Sequence, residues 1–439
     1  MLAFLLEVNA WLRTGQFYLF ALFMTIIWLL WGIRAVLAAC YRPWRDDWTG
    51  SVSVIIPVVD EPLELFRSVL DRIIAQRPSE VIVVINGPRN GPIELLSSEV
   101  GARWCWTETP GKRNALKIGI GLATGEITVL VDSDTVWTPT TLRELVKPFR
   151  DPRVGGVTTR QRILNPGRTG LTRWADWLEN VRNEYSFPAM SVLGTVGCLP
   201  GRTIAFRRDI LVGCMNRFLG ESFLGIVLEV SDDRTLTNYT LQAGFKTVYQ
   251  ATSLVYTDAP TRLGKLVRQQ YRWARGSQYN TLRMLPWMLR YAPLLSVFYL
   301  ADILVPFVLV GSFVSWAVAI ATGARDELYS ALPLPHETWQ SVPVLLALAA
   351  LMTVISLAVR FGQHFAYRPV DLTYLPLFML VNTFLLMPIR VIGFIRMAHN
   401  GGWGTRAHAF AGGHHLSPLV VVPYLLGGSM LAASVILGV

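Results

Sequence analysis

Cysteine and charge are both scarce in this chain. Its 439 residues include only four cysteines, Cys40, Cys105, Cys198 and Cys214. None has a pairing or metal-ligating spacing, which argues against a disulfide framework or a zinc site. Charged residues make up 16% of the chain, against about 25% in ordinary soluble domains. With 52% apolar residues, the composition is that of a mixed soluble and membrane protein. The eight-residue P-loop spacing is missing, which argues against NTP hydrolysis of that type. No cleavable signal peptide is evident: the first apolar stretch is long, leads straight into basic residues and reads as an anchor. The net charge is +10. Its basic residues are spread over several motifs and membrane flanks rather than one stripe, so no nucleic-acid partner is expected. Anionic membrane lipid or a phosphate-bearing substrate fits the excess better.

What is present begins with long apolar runs. Residues 17–40 are apolar until Arg34 and exceed the roughly 20 residues that a spanning helix needs. Arg42 and Arg45 follow this run while only Arg13 precedes it, which places the next region in the cytoplasm. Apolar character returns at 292–322, 342–359 and 416–437. The run 372–397 is interrupted by Pro376, Pro388, Arg390 and Arg396, so it reads either as a span or as a bent, re-entrant or interfacial segment. The expected organisation is an N-terminal anchor at 1–45 and a cytoplasmic domain at 46–260. Interfacial helices rich in Arg, Trp and Leu follow at 261–291, then a membrane region at 292–439 carrying a loop at 398–415.

The cytoplasmic region reads as a doubly wound α/β domain. Three segments led by apolar runs, 51–62, 81–88 and 127–135, read as buried strands. All three end in polar residues: Asp60 and Glu61, Asn86 and Gly87, and Asp132 and Asp134. Ligands in such folds bind at the carboxyl ends of strands. The Asp132–Asp134 pair supplies hard oxygen ligands that suit Mg2+ or Mn2+ and, through the ion, a diphosphate. A solvated turn is the plain alternative. Lys112 and Arg113 stand at a loop-to-helix transition, where cations and free N–H groups favour phosphate. Ser231-Asp232-Asp233 reads either as a helix start or as a pair of acids in which the like charge of Asp232 raises the Asp233 pKa and favours a base.

These segments occur in a recognisable order: DE (60–61), GKRNAL (111–116), VDSDT (131–135), RILN (162–165), SDDR (231–234), QQYRW (269–273) and WGTR (403–406). The set resembles the processive family 2 glycosyltransferases, in particular the hyaluronan and chitin synthase branch, over residues from about 50 to 406. That resemblance implies a GT-A-type cytoplasmic domain inserted between transmembrane and interfacial helices. It implies an enzyme that polymerises a sugar from a nucleotide-sugar, a UDP-sugar by expectation, onto a growing polysaccharide and moves the product across the plasma membrane. Asp233 would be the catalytic base beside Asp232. Asp134 and Asp132 would hold the metal. Glu61, Asn86, Lys112, Asp132, Arg272, Trp403, Thr405 and Arg406 would contact the nucleotide diphosphate, the last three as a gating loop. Cys198, Gly201, Gln269 and Trp273 would line the acceptor site. The chain departs from the group at Asn86, where aspartate is usual, and at Ser231, where glycine is usual.

Two other readings share parts of this pattern. A non-processive transferase acting on a lipid or lipid-linked acceptor shares the metal pair but needs neither the QxxRW clamp nor the WGTR loop. A catalytically silent scaffold predicts a broken acid set, whereas Asp132, Asp134, Asp232 and Asp233 are all present.

Overall fold

The computed structural model describes residues 19–227, 230–322, 338–399 and 417–438. The chain forms two compact units. One comprises Arg34–Ser296 with Ala398–Leu419, and the other Met1–Ile33, Val297–Met397 and Val420–Val439.

The first unit is built on a sheet. Its strands are β1 (Val52–Val58), β2 (Glu80–Asn86), β3 (Arg103–Thr107), β4 (Ile127–Val131), β5 (Val136–Trp137), β6 (Val154–Ile163) and β7 (Thr203–Arg207). A small hairpin of β8 (Ser222–Phe223) and β9 (Ile226–Val227) follows, and β10 (Lys246–Thr257) returns to the sheet. The eight-stranded order is β3-β2-β1-β4-β7-β6-β10-β5. β3, β2, β1 and β4 are parallel neighbours, as expected of a doubly wound α/β fold. The sheet turns mixed at β7, which runs antiparallel to both β4 and β6.

Every residue of β1 is buried, which is why it reads as a continuous apolar run rather than an alternation. Pro57 is tolerated in this central strand because pairing with β4 stops at Ile55, opposite Leu130. The Leu63–Ile74 helix seals one face with Phe66, Val69, Leu70 and Ile73, an i, i+3, i+4, i+7 stripe. The Lys112–Leu122 helix lies on the other face. It approaches so closely that a Cβ on Gly119 would fall 2.5 Å from Ile55 Cγ2.

Residues 261–291 form one continuous helix, Leu263–Tyr291, with Pro286 inside it. Much of its buried face is polar: Gln270, Arg275, Gln278, Asn280 and Thr281 all lie inward. It packs on the Asp232–Gln242 helix, where Asn280 Oδ1 accepts from Asn238 Nδ2 at 2.8 Å.

Three described helical stretches are long and apolar enough to cross a membrane: Pro293–Ser315, Pro369–Ile395 and Pro418–Leu437. Phe23–Ala39 and Ala350–Arg360 are shorter apolar helices within the described residues. Small residues let two helices of this unit meet closely. A Cβ on Gly311 would fall 2.3 Å from Ser434 Cβ, and Ser315 Oγ donates to the Val435 carbonyl at 2.7 Å. Pro369–Ile395 is not one regular helix. It begins as a 3-10 turn at Pro369–Tyr374 and contains a π segment at Val381–Leu386, just before Pro388.

Candidate active site

The carboxyl ends of β1, β2 and β4 converge, and each polar terminus is tied to a neighbour. The Asn86 amide nitrogen donates to the Val58 carbonyl at 3.1 Å, joining the ends of β2 and β1. Glu61 accepts from Ser133 Oγ at 2.9 Å, joining the loop after β1 to the loop after β4. That second loop turns tightly, with Thr135 N–H donating to the Asp132 carbonyl at 3.1 Å, and it leaves Asp132 and Asp134 half-buried.

Lys112 opens the Lys112–Leu122 helix, whose N-cap is Gly111 at φ 119°, a conformation that favours glycine. Its Nζ lies 2.5 Å from Asp132 Oδ1. Burial works against the ammonium, yet Asp132, Asp232 and Asp233 outweigh it and hold the Lys112 pKa above its usual value. Gly201 sits opposite. Its N–H donates to Asp233 Oδ2 at 3.1 Å, and a Cβ there would lie 3.4 Å from Asp233 Cβ and 3.6 Å from Lys112 Nζ. Lys112, Asp132, Gly201, Asp232 and Asp233 therefore line one cavity, floored by Leu116, Leu130 and Leu236.

The two acids of the SDD segment are not equivalent. Asp233 faces the cavity and also accepts from the Arg234 N–H at 2.8 Å. Asp232 is buried and paired with Arg113 at 2.8 Å. Burial raises the Asp232 pKa, with Arg113 and Lys112 pulling it the other way. The rise at Asp232 comes first from burial, and the Asp233 charge adds a smaller push in the same direction. The helix-start reading of this segment also holds: the helix begins at Asp232, and Ser231 is its N-cap with φ 66° and no side-chain capping bond.

Arg113 corrects the expectation that it faces phosphate. It points inward, 4% exposed, and holds Glu221 at 2.6 Å, Asp232 at 2.8 Å and the Phe218 carbonyl at 2.6 Å. Glu221 also pairs with Arg283 from the Leu263–Tyr291 helix and accepts from Thr235 Oγ1 at 2.8 Å. Glu221 belongs to no recognisable motif. Its role appears only once residues 113, 221 and 283 meet in the fold.

On the Leu263–Tyr291 helix, Trp273 is half-buried with the Arg202 guanidinium over its ring, 5.9 Å from the centroid. The Cys198 thiol is pushed up to about 12 by burial and then by the Asp233 charge. Gln269 and Arg272 lie half-buried on the same helix as Trp273. Trp403, Thr405 and Arg406 lie outside the described residues.

A convergence of strand-end acids, a helix N-terminus and a carboxylate facing them can serve several transfer reactions. The family model described as "Glycosyltransferase like family 2" matches residues 50–276, the whole of the sheet and the site. The chain belongs to this glycosyltransferase family. Among curated relatives, an N-acetylglucosaminyltransferase of Rhizobium sp. (strain N33) is 30% identical over 398 residues, covering 86% of this chain and 83% of the relative. A hyaluronan synthase of Streptococcus pyogenes is 25% identical over 391 residues, covering 85% and 88%. Among solved structures, the mannosyltransferase PcManGT from Pyrobaculum calidifontis, in complex with GDP-Man and Mn2+, superposes with a TM-score of 0.57 at 20% identity. That match covers 86% of this chain and 98% of that one, and it shows a shared fold. The sheet and site described above are accordingly a GT-A-like domain, and the enzyme is a hexosyltransferase.

Proposed function

We propose that this transferase adds sugars repeatedly, with inversion, from a UDP-sugar to a growing polysaccharide that leaves through the membrane unit. The observation that carries the reading is the facing pair in the cavity. Asp233, held by the Gly201 N–H, lines one cavity with Lys112 and Asp132, an arrangement that supports a base facing a cationic diphosphate site.

The chemistry follows from that placement. The acceptor hydroxyl attacks the anomeric carbon of the donor while Asp233 takes its proton. The bond from the anomeric carbon to the diphosphate oxygen breaks, and the nucleoside diphosphate leaves against Lys112. Asp132 and Asp134 fit a divalent ion, Mg2+ or Mn2+. They offer two half-buried carboxylates two residues apart, and such ions are commonly held by one or two carboxylates plus substrate phosphates. When bound, the ion supplies charge neutralisation on the leaving diphosphate. Asn86, its nitrogen engaged by Val58, offers its amide oxygen to a uracil N–H. Trp273 offers an indole face to a sugar ring, with Gln269 and Arg272 beside it on the helix. Cys198 and Gly201 form the opposite wall, and Trp403, Thr405 and Arg406 close over the nucleotide. Repeated addition is supported by the likeness to a hyaluronan synthase over most of both chains.

The test is product analysis. Purified enzyme is incubated with Mn2+ or Mg2+ and a panel of nucleotide-sugars, and released nucleotide and product length are measured. A polymer formed from a UDP-sugar is expected. A single sugar placed on a lipid acceptor would replace this reading with the non-processive one.

A further inference from the structure

Arg202 belongs to none of the motifs above, yet it reaches both the Asp132 loop and Trp273. Its carbonyl accepts from the Asp132 N–H at 3.1 Å. The preceding Gly201 holds Asp233. Its side chain places the guanidinium over Trp273, 5.9 Å from the ring centroid.

The guanidinium is fixed from behind. Nη1 donates to Gln161 Oε1 on β6 and to Glu179 Oε1 on the Gly170–Val181 helix, both at 2.8 Å. Glu179 is 3% exposed and also meets Arg182 at 3.3 Å. Gln161 is itself held, donating through Nε2 to the Pro200 carbonyl at 3.2 Å. Arg202 therefore cannot swing without breaking a buried ion pair. A guanidinium so fixed stands over the Trp273 ring and restrains the tilt of the indole.

Resting on the functional reading above, we propose that Arg202 is the positioning residue of the acceptor platform: anchored by Glu179 and Gln161, it sets the orientation of Trp273 toward Asp233. Because the same residue joins the Asp132 loop through its backbone, platform and diphosphate site are set by one short segment, Pro200–Thr203. Substituting the side chain acts on the platform and leaves the backbone bond to Asp132 in place.

The full-length enzyme in detergent is assayed as wild type, Arg202→Met, Arg202→Lys, Glu179→Gln and Trp273→Ala. The acceptor is an added oligosaccharide of the enzyme's own product, with donor KM, acceptor KM, kcat and melting temperature all measured. Arg202→Met is expected to raise the acceptor KM by roughly three- to thirtyfold, the factor for loss of a cation–π contact. Donor KM moves much less. Glu179→Gln shifts the acceptor KM in the same direction by a smaller factor, and Arg202→Lys lies between wild type and Met. In a Trp273→Ala background, Arg202→Met adds nothing further. An unchanged acceptor KM in Arg202→Met overturns the proposal, as does an equal rise in donor KM or full additivity with Trp273→Ala. Should Arg202→Met melt far below the wild type, Arg202→Lys and Glu179→Gln decide by the same criteria. If wild-type enzyme adds one sugar only, the processive reading fails, and the acceptor-KM comparison on that acceptor still decides the role of Arg202.

Discussion

Two backbone N–H groups, from Gly201 and Arg234, hold the Asp233 carboxylate in place, so its aim does not depend on a mobile side chain. Asp233→Asn keeps the size and loses the proton acceptor. Transfer should fall by about 10²–10⁴-fold with donor KM little changed, measured as nucleotide release in the presence of acceptor. Arg113 supports a different property. It is buried between Asp232 and Glu221, and removing one member of such a set leaves an uncompensated charge inside the protein. Arg113→Met should destabilise the enzyme by roughly 3–5 kcal/mol, read as a large drop in melting temperature, whereas a surface substitution such as Arg67→Met should not. Glu179 adds a pH dependence. Burial opposes its charge, but Arg202 and Arg182 prevail and its folded pKa lies below the ordinary value. Its contribution is therefore fully present above the unfolded pKa of about 4.3 and is lost as pH falls from there through the lower folded value. Melting curves of wild type and Glu179→Gln should converge over that acid window and separate above it.

At the scale of elements, the strands that carry the site were the legible ones. β1, β2 and β4 are buried on both faces, and burial of that kind writes itself as continuous Val and Ile. β6 and β10 were not legible. Thr159 and Gln161 are fully buried in β6 yet polar, because the Gln161 amide and the Thr159 hydroxyl find backbone carbonyls at Pro200 and Thr203. Glu221 was illegible for a related reason: its partners Arg113 and Arg283 lie 108 residues before it and on a helix beyond it. Local patterning carries no trace of such pairs. The turn into the Asp232–Gln242 helix shows the same limit. Ser231 adopts φ 66°, a left-handed conformation, while a Cβ on Gly276 of the Leu263–Tyr291 helix would fall 2.7 Å from Ser231 Cβ. One element is strained where the other has no room. Ser231→Gly should relieve the strain and raise stability by up to about 1 kcal/mol with activity retained. Gly276→Ala should cost about 1–3 kcal/mol and lower kcat, since the displaced Ser231 adjoins Asp232 and Asp233. A Gly276→Ala enzyme with wild-type melting and turnover would show that these helices yield freely.

At the scale of the whole molecule, the question is where the chain stands after Pro369–Ile395. That stretch is long and apolar enough to cross, yet it mixes 3-10, α and π turns around Pro376 and Pro388. The residues that follow belong to the same compact unit as the transferase sheet. The His399 carbonyl accepts from Arg275, and a Cβ on Gly225 would fall 2.7 Å from the Ser417 hydroxyl. Both flanks of residues 400–416 are therefore held by the unit that carries the candidate site, and on that basis we propose a re-entrant or interfacial course for Pro369–Ile395. We propose that the side bearing this unit is the cytoplasmic one, because Arg42 and Arg45 follow the first apolar run. The expectation can be read by labelling. In a cysteine-free background, Glu99→Cys marks the transferase unit, Ala407→Cys the gate and Ser330→Cys the stretch between two apolar helices. A membrane-impermeant maleimide should label only Ser330→Cys in intact cells, and all three after permeabilisation. Labelling of Ala407→Cys in intact cells would mean that Pro369–Ile395 crosses fully, and that residues 403–406 cannot close over a nucleotide bound at Lys112.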